Sequence, residues 1–105
     1  MSRYREECDQ AYKALRAAGL DFYDARQLVG SAAVDIAEQV VTSGTVDQTA
    51  IGVYRKAKEL AEQKEAAAAE AREDYARACR IMIEQEMEKP PAVAAAEGGE
   101  IKNQR

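Results

Sequence analysis

Apolar side chains recur along this chain at the three-and-four spacing of helices that bury one side, and the pattern falls into three stretches. In the first, Tyr4, Cys8, Ala11, Tyr12, Leu15 and Ala18 form one stripe, and Ser2 stands where an N-cap belongs. Gly19 followed by Leu20 has the form of a helix C-cap, with glycine left-handed and leucine folding back. Asp21 then opens a second helix, with Asp24 three residues on in a weak form of the capping box. The apolar arc of this helix is Phe22, Ala25, Val29, Ala32, Ile36 and Val40, flanked by Leu28 and Ala33. A second edge carries Tyr23, Val34, Ala37 and Val41, and so broad an arc suits a helix packed on two sides. Gly30, Ala33 and Ala37 share an edge where small side chains would admit a close neighbour.

Thr42-Ser43-Gly44 ends the second helix, and Thr45-Val46-Asp47-Gln48 matches the capping box of a third. No glycine after Gly52 and no proline interrupts the chain until Pro90, which predicts a helix on the order of 60 Å long. Tyr54, Ala61, Ala68, Tyr75 and Met82 recur every seven residues, with Ala50, Ala57, Lys64, Ala71 and Ala78 at the companion position. This is a narrow, alanine-lined seam of coiled-coil type with one lysine in it. The expected fold is therefore all-α, with helices over about residues 3–18, 22–42 and 46–88 in a domain covering residues 1–89. Pro90-Pro91 stops the last helix, and residues 90–105 read as a disordered tail.

Short connections imply that the three helices run up, down and up. The first two would match only the first half of the third, leaving roughly residues 66–88 to project as a coiled-coil-like arm about 30 Å long. Tyr75, Cys79, Met82, Ile83 and Met87 lie along one side of that arm, with Ile81 off the line. An uncovered stripe of this kind calls for a partner: a homodimer through the distal half of the long helix is expected, with docking of a different protein as the other covering. A break near Lys64, folding the helix back into a four-helix bundle, is the structural alternative. In the three-helix layout Cys8 and Cys79 stand on the order of 40 Å apart, beyond the reach of a disulfide, so both are expected as free thiols.

Composition narrows the functional reading. Alanine supplies much of the 47% hydrophobic fraction, so the core gains little area per residue and association would make up burial. The chain has no histidine, no Gly-rich phosphate loop and no paired cysteines at metal-ligand spacing. Catalysis, a metal site and a cofactor are accordingly not expected. A net charge of −4 weighs against nucleic acid as the main ligand. Arg55, Lys56 and Lys58 cluster near the start of the third helix, but Glu59 is interleaved with them, and Asp21 and Asp24 would repel phosphate from the second.

No stretch approaches the length of a membrane span, and the N-terminus lacks the features of a signal peptide, which makes the cytoplasm the default location. The expectation is a non-catalytic protein–protein interaction protein: an adaptor, an assembly factor or a small inhibitor of the phage- or plasmid-encoded kind. It would act through Tyr75, Cys79, Met82, Ile83 and Met87. The alternative is a small nucleic-acid-associated regulator acting through Arg55, Lys56 and Lys58.

Overall fold

A computed structural model describes residues Ser2–Met87, and among them helix is the only regular structure. Helix α1 runs over Arg3–Ser43 and helix α2 over Gln48–Met82, and α2 ends in a π-helical turn, Ile83–Met87. There are thus two helices where the sequence pattern predicted three. The predicted break at Gly19 does not occur. The seam explains why, since Leu15, Ala18, Phe22 and Ala25 keep the four-three spacing straight across the glycine without a change of phase. Gly19 itself faces solvent, and a Cβ there would meet nothing within 4 Å. Its propensity cost of about 1 kcal/mol is small against the burial that an unbroken stripe secures.

The α1–α2 connection is a true helix end. Gly44 takes the left-handed conformation, φ 80°, and its N–H donates to the Val40 carbonyl at 2.9 Å. The Thr42 and Ser43 hydroxyls donate to the Glu38 and Gln39 carbonyls, both at 2.8 Å. Asp47, rather than Thr45, caps α2, its carboxylate accepting from the Ala50 N–H at 2.8 Å. The Asp47 N–H donates in turn to the Gln39 side-chain oxygen at 3.1 Å, so the end of one helix holds the start of the next. At the other terminus Ser2 caps α1 as expected, accepting from the Arg5 N–H at 3.2 Å.

α2 returns along α1 in the opposite direction, because residues early in α1 meet residues late in α2. Cys8 touches Cys79, the Tyr12 ring meets that of Tyr75, and Asp21 faces Lys64. The arm predicted to project beyond a bundle therefore lies against the first half of α1, and α2 passes Lys64 without a break. The predicted tail, residues 90–105, falls outside the described residues.

The heptad register read in α2 is the one that meets α1. Tyr54, Ala61, Tyr75 and Met82, with Ala50, Ala57, Lys64, Ala71 and Ala78, are half-buried, and Ala68 is buried. In α1 the facing positions alternate larger side chains, Cys8, Leu15, Phe22, Val29 and Ile36, with Ala11, Ala18, Ala25 and Ala32. Among the described residues only Ala25, Ala32 and Ala68 are buried. Two helices enclose only the line where their backbones come closest, so alanine is shielded there while Phe22 and Tyr75 keep an open edge.

Candidate interaction surfaces

The residues predicted to form an uncovered stripe are mostly occupied within the chain. Tyr75, Cys79 and Met82 are half-buried on the side of α2 that meets α1, while Ile83 remains 41% exposed. Met87 ends the π turn, and its side chain lies outside the described residues. Arg55, Lys56 and Lys58 are all exposed but do not form one surface. Lys56 borders a shallow groove with Leu28, Val53 and Leu60 on one flank of the hairpin. Lys58 borders another with Phe22, Arg26 and Val29 on the opposite flank.

The open end of the hairpin, far from the turn, carries a compact cluster. The Cys8 and Cys79 sulfurs are 3.5 Å apart, one thiol donating to the other, and neither is bridged. This corrects the large separation expected from a three-helix layout. The Tyr12 and Tyr75 rings lie one turn inward with centroids 5.6 Å apart, inclined by 51°. Outward of the thiols, Glu86 accepts from the Ser2 hydroxyl and pairs with the Arg5 guanidinium at 3.0 Å. Glu86 reaches the cluster because it continues the four-three-four spacing of Tyr75, Cys79 and Met82, and it is half-buried there while Gln85 is exposed.

The contacts within the cluster alter its acid–base chemistry. The Cys8 thiol is held above its ordinary range, first by its hydrogen bond with Cys79, then by desolvation, with Cys79 and Asp9 adding charge repulsion. Tyr75 is likewise pushed up, chiefly by a hydrogen bond with Cys79. Both shifts favour the protonated form in the folded chain. The stability they contribute is complete below the ordinary thiol value of 9.0 and is lost as pH rises through the folded values.

A second seam runs along the outside of α1. Leu20, Tyr23, Gln27, Gly30, Val34, Ala37 and Val41 follow the same three-and-four spacing as the inner seam but lie on the face turned away from α2. Its large members are open to solvent: Leu20 is 60% exposed, Tyr23 59%, Val34 55% and Val41 83%. At its centre Gly30 has no atom within 4 Å of where a Cβ would stand. The small-residue edge at Gly30 thus does not serve contact between α1 and α2, contrary to the expectation of a close neighbour within the chain. One border of this seam is acidic, with Asp24, Ser31 and Glu38 in succession, and the other carries Arg26, Ala33 and Val40. The broad apolar arc of the sequence already contained most of this face, including Tyr23, Val34, Ala37 and Val41.

Among the described residues no group of three His, Cys, Asp or Glu side chains is placed to hold a metal ion, and no helix is long and apolar enough to cross a membrane. No protein-family model, characterised protein or solved structure matches the chain.

Proposed function

We propose that this protein is a non-catalytic helical hairpin that binds another protein, using the outer seam of α1 to receive an amphipathic helix. The observation that carries the reading is the exposed row Leu20, Tyr23, Val34 and Val41, set in heptad register opposite the face that α2 covers. A row of exposed apolar side chains, parted at its middle here by Gln27 and Gly30, is what interaction faces carry. From Leu20 to Val41 the row spans on the order of 30 Å, enough for about three heptads of a partner helix. Gly30 at its midpoint allows the two backbones to approach closely.

Charge favours a different chain over a second copy. In an antiparallel pairing of two α1 seams centred on Gly30, Asp24 would face Glu38 of the other copy, and the clash would occur twice. A parallel pairing would set Arg26 against Ser31 and Ala33 against Glu38, with no ion pair. The acidic border is instead complementary to a partner helix that carries Lys or Arg beside its apolar stripe.

The probe is a synthetic peptide of about four heptads with Leu at a and d and Lys at the flanking positions, set against a sister peptide with Glu in place of Lys. The Lys peptide should bind by fluorescence anisotropy. Leu20→Glu with Val34→Glu should weaken it at least about tenfold, and the Glu peptide should bind more weakly than the Lys peptide. Equal binding by the native chain and the double variant would overturn the assignment of the seam. Sedimentation showing a dimer that the same double variant dissolves would give the seam to a second copy instead.

A further inference from the structure

The open end of the hairpin holds the chain's two cysteines, one on each helix, at positions that its sequence separation of 71 residues brings into contact only through the fold. Both are half-buried free thiols with sulfurs 3.5 Å apart. A disulfide needs about 2.05 Å, so the sulfurs must close by only about 1.5 Å, within reach of small side-chain rotations. Neighbouring contacts hold both helices in place for that step: the tilted Tyr12–Tyr75 ring contact on the inner side, and the Arg5–Glu86 pair and the Ser2–Glu86 hydrogen bond on the outer side. Without Cys79, the remaining connection at this end is made by exposed or half-buried side chains.

We propose that Cys8 and Cys79 form a reversible intrachain disulfide that clamps the open end of the hairpin. The oxidant is a low-molecular-weight disulfide. The thiolate of one cysteine attacks it, forming a mixed disulfide and releasing one reagent thiol; the sulfur of the second cysteine then attacks the mixed disulfide and releases the other. Two electrons and two protons leave the pair for the two reagent thiols, and the protein gains one S–S bond. Because the Cys8 thiol is held protonated above its ordinary range by Cys79, by desolvation and by Asp9, the first step is slow at neutral pH. Once formed, the bond closes a long loop and should raise the melting temperature substantially.

The full chain, incubated with excess oxidised glutathione under native conditions, should lose both free thiols and about 2 Da by intact mass, as expected for one S–S bond. It should remain the same size by sedimentation and melt at least about 10 °C higher, the rise vanishing on reduction. Cys8→Ser and Cys79→Ser should each stop at a stable glutathione adduct and show no rise. A native chain that keeps glutathione on either cysteine, or that links two molecules through these thiols, would overturn the proposal. An intrachain bond that leaves the melting temperature unchanged would show that the end is not clamped, and would overturn it equally.

Discussion

The inner and outer faces of α1 are almost the same text read on two sides of one helix. Each carries a row at three-and-four spacing, Leu15, Phe22, Val29 and Ile36 inside, Leu20, Tyr23, Val34 and Val41 outside, and each is relieved by small residues. One is covered by α2 and the other is open. The difference lies in what each can be offered by its own chain. α2 presents a matching alanine-lined seam with tyrosines at intervals, whereas its outward face, with Arg55, Glu59, Glu62, Glu73 and Arg80, is charged and requires nothing to cover it. Periodicity thus announces that a face is built for contact; which face is satisfied depends on how much chain remains to satisfy it.

The sharpest way to break the comparison is a charge on the inner line. Ala25, on the face of α1 that α2 covers, is 2% exposed. Ala25→Glu should cost at least about 3 kcal/mol, since the carboxylate must be desolvated or the helices parted, and urea denaturation followed by circular dichroism would register it. A loss near zero would mean that the helices do not hold this register.

The two glycines provide a subtler test, because the same substitution should act with opposite signs. Gly44→Ala forces an L side chain into a left-handed backbone and should destabilise by about 1 kcal/mol. Gly19→Ala lies in mid-helix with open space around it and should stabilise by about 0.5–1 kcal/mol. Equal signs in thermal melts would contradict a continuous α1. Smallest of all should be the effect of Leu20→Glu with Val34→Glu on folding itself. Exposed on the outer face, the pair should shift stability by no more than about 0.5 kcal/mol while removing peptide binding.

Much of this was legible in the residues. The heptad positions of α2, the caps at Ser2 and the turn at Gly44 follow directly from spacing and from side chains that satisfy free N–H groups. Gly19 carries a local C-cap signal that the phase of its neighbours contradicts. A helix that ends lets the next one begin at any angle, yet Ala18 and Phe22 are in step. The continuity across Gly19 was the stronger signal. From that one break followed the projecting arm and the distance between the cysteines. The outer seam was visible as an overly broad arc, and only its lack of a covering helix required the structure. Glu86 stands seven residues after Cys79, so the spacing that sets the thiol on this face sets the carboxylate there as well.

A hairpin joined at one end orders its contacts by the length of chain each must close. Gln39 and Asp47 meet across 8 residues, Cys8 and Cys79 across 71, and Arg5 and Glu86 across 81. Closing entropy rises along that series, so the molecule is expected to zip from the Gly44 turn and to fray from the Glu86 end. Amide exchange should accordingly quicken along both helices with distance from the turn. The sulfur pair then sits among the last contacts to form and the first to part, and a covalent bond there would give the chain a second closed end from which its contacts could grow.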